Sequence, residues 1–273
     1  MNDEFYSIGV DLGSIYAKFI VINDFYEIIY KSIDKIGGDP EEVFISNIQK
    51  IVKELNLPKN SVYINITGRN GQNLLESSLN KIPKSINKTI KSIKTIPELN
   101  SMAKAAICLS NKIRTIVDIG GFSNKILKIN DKGKIIDFIQ NDICSSGSGI
   151  FLELICKALG LQLDSIDEYV SRSIQIIPIS SQCSIFAESE VIYLLNENKN
   201  IENIVAGACK SITGRIIPLI SKIGIEKEII LTGGIGKFFS IKKFLQEEIK
   251  LNFLDIKIDP IFFNSYGAAA FRL

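Results

Sequence analysis

The sequence predicts an α/β fold made of two related halves, and three observations carry that expectation. A thirteen-residue pattern occurs twice, at Asp11 to Asn23 and again 107 residues on at Asp118 to Asn130, with Asp, Gly, Lys and an Ile-Asn pair at matching offsets. Short apolar runs flank each copy, so each reads as strand, tight Gly turn, strand. The 273 residues, 46% of them hydrophobic, suffice for two cores of ordinary size.

Taken in order, Ser7 to Val10, Lys18 to Asn23 and Glu27 to Ser32 read as a three-stranded meander. A helix follows: Asp39 suits the N-cap, Pro40 the first helical position and Glu42 a capping box, while Val43, Phe44, Ile48, Ile51, Val52 and Leu55 share one apolar face. Val62 to Ile66 is a strand ending at Thr67-Gly68. Leu79 to Pro97 carries two prolines and weak periodicity, so the domain junction is placed near its end. This gives an N-terminal half of residues 1–96 and a C-terminal half of 97–264, with the final segment 265–273 packing back on the first half.

The second half repeats the plan. Strands are expected at Thr115 to Asp118, Lys125 to Asn130 and Lys134 to Gln140, the last two joined by an Asp131-Lys-Gly-Lys turn. Helices are expected at Ser148 to Leu159, closed by Gly160, and at Ile201 to Ile223. Glu228 to Leu231 is a strand opening into Thr232-Gly-Gly, followed by a helix near Ile241 to Leu251 and an Ala-rich helix from Ser265 to Leu273.

Composition limits the chemistry. With 32 basic against 30 acidic residues the net charge is +2 and no basic stripe stands out, which argues against nucleic acid and anionic membranes as partners. The start lacks the features of a signal peptide, and no uncharged apolar run reaches bilayer length, so a cytoplasmic protein is the default expectation. Histidine is absent, which excludes Ser-His triads and every His-containing metal site.

The duplicated turns are the first candidate site. Backbone N–H groups at such turns cradle phosphates, and paired carboxylates hold hydrated magnesium. Asp11 and Asp118 are the candidate magnesium-organising residues, Gly13, Ser14, Gly120, Gly121 and Ser123 the phosphate contacts, and Lys18 and Lys125 either offset phosphate charge or are solvated strand lysines. Gly233 and Gly234, after a strand and before a helix, would let a nucleoside lie against backbone.

The cysteines form two classes. Cys108, Cys156 and Cys209 sit among apolar neighbours in helical stretches and read as small buried hydrophobes. Cys144 and Cys183 lie in Ser-rich loops just before helices, where the thiolate is favoured, so they are the candidate metal ligands. Two ligands fall short of a four-cysteine site, which a symmetric dimer would complete.

With these motifs in view, the chain resembles the ATP-dependent activators of 2-hydroxyacyl-CoA dehydratases, also called component A or archerases, and the related ATPase subunits of benzoyl-CoA reductase. The resemblance rests on Gly9 to Lys18, Asp118 to Lys125, Asn141-Asp-x-Cys-x-x-Gly-x-Gly149, Cys183-x-x-Phe-Ala-Glu-Ser-Glu-Val191, Thr232-Gly-Gly and Gly267-Ala-Ala-Ala270. It implies the actin-like, sugar-kinase and heat-shock ATPase fold, with two duplicated ribonuclease H-like domains around a nucleotide cleft. It also implies bound ATP or ADP with Mg2+, and a homodimer sharing one [4Fe-4S] cluster through Cys144 and Cys183 of each copy. The electron donor would be ferredoxin or flavodoxin, and the acceptor an iron-sulfur dehydratase or reductase.

Three segments depart from the family pattern. Phe122-Ser123-Asn124 stands where Gln-Asp-Ser/Ala is usual, Ser101-Met102 replaces a Cys-His pair, and Thr67-Gly68-Arg69-Asn70-Gly71 replaces a Thr-Gly-Tyr-Gly-Arg turn. If the missing Gln positions the hydrolytic water, hydrolysis is slower here. Two alternatives therefore stay open: a small-molecule kinase of the same fold using Glu188 or Glu190 as base, and a nucleotide-binding component of another metalloenzyme-activation complex.

Overall fold

In a computed structural model, the structure describes residues 5–71, 74, 81–141, 149–180 and 183–271. The chain divides into two compact units. Unit 1 holds residues up to Lys112, the short stretch 130–135 and the C-terminal part from Lys257; unit 2 holds 113–129 and 136–256.

Unit 1 is built on a five-stranded sheet of order β3-β2-β1-β4-β5, with β1 (Tyr6–Leu12), β2 (Tyr16–Ile22), β3 (Ile28–Lys35), β4 (Val62–Thr67) and β5 (Ile90–Thr95). The β1-β2 and β2-β3 pairs are antiparallel, while β1-β4 and β4-β5 are parallel. β1 and β2 are buried along nearly their whole length, as central strands covered on both faces must be. Helix α1 (Pro40–Glu54) starts where expected, with Asp39 as its cap accepting the Glu41 N–H at 2.8 Å rather than closing a capping box with Glu42, and Phe44, Ile48, Ile51 and Val52 join the core with Ile8, Phe19 and Ile64. Each of these fully buried side chains contributes roughly 1.5–3 kcal/mol.

The short helix α2 (Lys84–Asn87) and β5 fall in the stretch the sequence leaves unassigned. β5 is an edge strand with two exposed lysines and only partly buried isoleucines, too weak a pattern to announce itself. Helix α3 (Glu98–Leu109) then packs within unit 1, so the compact units meet at residues 112/113, whereas the sequence placed the junction at 96/97. The packing partner of α3 is the C-terminal helix, which explains the shift.

Unit 2 carries a four-stranded sheet of order β8-β7-β6-β9, with β6 (Thr115–Ile119), β7 (Asn124–Ile129), β8 (Ile135–Gln140) and β9 (Ile229–Thr232). β6 runs antiparallel to β7 and parallel to β9, the same arrangement that β1 has with β2 and β4. Helices α4 (Gly149–Ala158), α5 (Ile166–Arg172), α6 (Ser184–Asn196), α7 (Ile201–Ile223) and α8 (Phe239–Ile249) complete the unit. Among the described residues only α7 is long and apolar enough to cross a membrane, yet Ile204, Val205, Ala208, Ile212 and Ile216 belong to the core of unit 2.

Helix α9 (Phe263–Ala269) lies in unit 1, against β1 and α3. A Cβ added at Gly9 would overlap the Ser265 carbonyl oxygen and the Ala269 amide nitrogen. Only glycine permits that approach of helix backbone to strand backbone. Gly9→Ala is therefore expected to cost about 1–3 kcal/mol, read as a lower urea midpoint at unchanged slope; a variant with the wild-type midpoint would contradict this packing.

Candidate functional site

Each unit presents the same small construction, built on its two central strands. In unit 1, β1 places Asp11 opposite Lys18 of β2, and the turn between them closes with the Gly13 N–H donating to the Tyr16 carbonyl at 3.1 Å. In unit 2, β6 places Asp118 opposite Lys125 of β7, and the Gly120 N–H donates to the Ser123 carbonyl at 3.0 Å. The duplication seen in sequence is a duplication of hydrogen-bond geometry.

A second duplicated pattern went unread in the sequence. Thr67-Gly68-x-x-Gly71 follows β4 just as Thr232-Gly233-x-x-Gly236 follows β9, with Thr67 beside Asp11 and Thr232 beside Asp118 in the parallel pairings. Gly68 and Gly233 both have φ of +86°, which favours glycine strongly. The Asn70 N–H donates to the Leu12 carbonyl at 3.0 Å and the Ile235 N–H to the Ile119 carbonyl at 3.2 Å, so each turn is latched to the Asp-bearing strand. Asn70 also donates from its side chain to the Gly13 carbonyl at 2.7 Å, which makes it a supporting residue that the spacing could have revealed.

Both carboxylates are buried and held by polar partners. Asp11 is 5% exposed and pairs with Lys18 Nζ at 2.9 Å. Asp118 is 4% exposed and accepts from the Thr232 hydroxyl at 2.9 Å, while Lys125 Nζ donates to the Ser123 hydroxyl at 3.2 Å. Neither lysine is a solvated strand lysine: Lys125 is buried, and the Lys18 side chain is only 15% exposed. Ser14 is exposed at the tip of its turn, and Gly233 and Gly234 are half-buried.

Helix α4 docks onto the second turn. The Gly149 and Ile150 N–H groups donate to the carbonyls of Gly120 and Gly121 at 2.9 and 3.0 Å. On the other side, Asn141 Oδ1 accepts the Asn124 N–H at 2.6 Å, and the Asn141 N–H returns to the Asn124 carbonyl at 3.2 Å. Residues 142–148, with Cys144, lie outside the described residues, but both of their flanks are tied to the Asp118 turn.

Of the other cysteines, Cys183 is exposed at the N-cap of α6. Phe186 and Tyr193 follow it at helical spacing and are 68% and 61% exposed. Glu190, between them, accepts both the N–H and the hydroxyl of Ser180 at 2.9 and 2.7 Å, so one of the two candidate kinase bases holds the segment leading to Cys183. Cys108 corrects an expectation: it is exposed, because the packed face of α3 is Ser101, Met102, Ala105 and Ala106 and Cys108 falls in the last turn beyond it.

Cys156 and Cys209 are buried as expected. Desolvation pushes the Cys156 thiol up to about 11, with the Glu153 carboxylate adding to it, and Cys209 is raised further by complete burial, then by Cys156 and Asp167. At pH 8 only about one Cys156 in a thousand is thiolate. The unfolded chain releases these protons near the ordinary thiol value, so stability falls as pH rises from about 8.5 toward 11. In metal-free folded protein, iodoacetamide is expected to label Cys108 and Cys183 and to spare Cys156 and Cys209 until denaturant is added. Peptide mapping that finds Cys209 labelled as fast as Cys183 would refute this.

Comparisons with known proteins agree with this frame. The (R)-2-hydroxyglutaryl-CoA dehydratase activating ATPase of Acidaminococcus fermentans is 28% identical over 268 residues, covering 97% of this chain and 96% of the relative. The activator of the 2-hydroxyisocaproyl-CoA dehydratase from Clostridium difficile, solved with bound ADPNP, superposes with a TM-score of 0.84 at 28% identity, covering 98% of this chain and 94% of that one. MreB 5 of Spiroplasma citri bound to AMPPNP matches with a TM-score of 0.55 at 13% identity, over 99% of this chain and 96% of that one, a likeness of fold alone. The fold is thus the actin-like, sugar-kinase and heat-shock ATPase fold that the family resemblance implies. The model of the BadF/BadG/BcrA/BcrD ATPase family matches residues 8–271, nearly the whole of both units, and to that family the chain belongs.

Proposed function

We propose that the chain is an ATP-driven activator of an iron-sulfur 2-hydroxyacyl-CoA dehydratase or benzoyl-CoA-reductase-like enzyme, passing it a low-potential electron received from ferredoxin or flavodoxin. The observation that carries the nucleotide half of this reading is the repeated construction in which a buried carboxylate sits beside a Gly turn and a latched Thr-Gly-x-x-Gly turn. Asp11 and Asp118 would organise Mg2+ through water, and Gly13, Ser14, Gly120, Gly121 and Ser123 would receive the phosphates. Lys18, already paired with Asp11, would move part of its charge toward phosphate oxygens. Gly233 and Gly234 would face the nucleoside.

The second half concerns a homodimer holding one [4Fe-4S] cluster. Cys183 fits such a group: it is an exposed soft donor at the start of a thirteen-residue helix, where the dipole favours thiolate. Among the described residues no three His, Cys, Asp or Glu side chains gather as a metal site, so one chain needs Cys144 and a second copy to supply four thiolates. Phe186 and Tyr193, exposed on the Cys183 face of α6, suit a surface that the second copy covers and from which it excludes water. When bound, the cluster supplies a one-electron carrier. The hydrogen bonds from Asn141, Gly149 and Ile150 to the Asp118 turn would carry nucleotide-dependent movement to the cysteine loop.

The test is iron and acid-labile sulfide on anaerobically purified protein, with a spectrum before and after dithionite. About two irons per chain and a bleachable band are expected. Iron-free protein that resists reconstitution yet binds ATP would favour instead a nucleotide-binding component of another activation complex, a reading to which Phe122-Ser123-Asn124 lends weight.

A further inference from the structure

Away from the Asp turns, unit 1 contains an open cavity of about 510 Å³ between α3, the tip of the β7–β8 hairpin and the C-terminal Phe271. We propose that this cavity binds an organic phosphate monoester, with the phosphate on Lys104, Lys132 and Lys134 and the organic body against Ile107, Ile135 and Phe271.

The hairpin tip is built to present its lysines. Asn130 Oδ1 accepts the backbone N–H groups of both Lys132 and Lys134, at 3.0 and 2.9 Å, which fixes the turn. Gly133, at φ +75°, lies so close to α3 that an added Cβ would stand 2.7 Å from Ile107 Cγ1, so the tip is seated on the helix that carries Lys104. None of the three ammonium groups makes an ion pair or side-chain hydrogen bond with a described residue. The one acidic residue of the tip, Asp131, does not line the cavity. In a chain of net charge +2, three uncompensated cations around one hollow are a local excess that an anion relieves.

The choice of anion follows from donor geometry and wall chemistry. Lysine binds phosphate well as a point charge, whereas a carboxylate is matched better by the arginine fork. Apolar walls contribute nothing to inorganic phosphate, and the volume lies within the range of small-molecule sites. The site therefore selects an ester with an apolar body over the bare ion.

The experiment is calorimetric titration of the full chain with phenyl phosphate, with ADP at one equivalent per chain so that the nucleotide site is filled and little free ADP remains to compete at the cavity. Inorganic phosphate serves as comparison, with Lys132→Ala/Lys134→Ala and Lys104→Gln as variants checked for fold by circular dichroism. The expected result is one phenyl phosphate per chain, at least about tenfold weaker in the double variant and weakened also by Lys104→Gln, with inorganic phosphate at least about tenfold weaker than the ester. No binding of the ester at about 10 mM, unchanged affinity in both variants, or equal affinity for ester and inorganic phosphate would each overturn the proposal. Because ADP is present throughout and the readout is not hydrolysis, the result stands or falls independently of the activator reading.

Discussion

Asp118→Asn is expected to lower Mg2+-dependent ATP hydrolysis by about 100-fold or more while leaving the fold intact. The buried carboxylate is fixed on β6 and oriented by the Thr232 hydroxyl at 2.9 Å, and an amide of the same shape keeps an oxygen for that hydroxyl. On the proposed reading, what it loses is the negative charge that would hold hydrated magnesium against the transferring phosphate, a contribution of several kcal/mol in such sites. Asp11→Asn breaks the pair with a largely buried Lys18, so that variant should lose thermal stability as well as activity. Hydrolysis rates over a magnesium titration, with ATP affinity measured in parallel, separate the effects. Asp118→Asn hydrolysing within about threefold of wild type would remove this residue from the magnesium site.

If the protein holds the proposed cluster, Cys183→Ser is expected to strip its iron while nucleotide affinity stays the same. Serine is a favoured N-cap residue, so α6 loses nothing at its start, and the exposed thiol has no role in the core. Removing it would take two of the four thiolates from the proposed dimer-shared cluster, and the remaining pair could not hold one. Cys108→Ser is the matched control, because that thiol is exposed too but lies on α3 in unit 1. Full iron content in Cys183→Ser, or equal loss in Cys108→Ser, would sink the assignment.

Much of the frame was legible because the strongest signals are local. The repeated Asp-x-Gly turn gave a strand-turn-strand unit in each half, whose facing Asp-Lys pairs the structure then showed, and the α1 cap was readable from Asp39 and Pro40. The duplicated Thr-Gly-x-x-Gly turn was hidden because only three of its five residues match and its role depends on the parallel neighbour strand. β5 was hidden by its lysine-rich edge position. The unit boundary was misplaced because α3 belongs with α9, a partner 150 or more positions away that no sequence window contains. The exposure of Cys108 follows from the same unseen pairing.

The ties of the Asp118 turn to Asn141 and to the start of α4 have a consequence for how the duplicated halves diverged. In unit 1 the Ile36 N–H likewise donates to the Ile15 carbonyl of its turn, at 2.7 Å, but the corresponding helix α1 is capped by its own Asp39. In unit 2 the first N–H groups of α4 take the carbonyls of Gly120 and Gly121 instead. A displacement of that turn without α4 would orphan those groups at about 1–3 kcal/mol each, so the two travel as one rigid lever. The two halves thus repeat one turn and differ in how the helix after it begins, by a side-chain cap in one and by the carbonyls of the turn in the other.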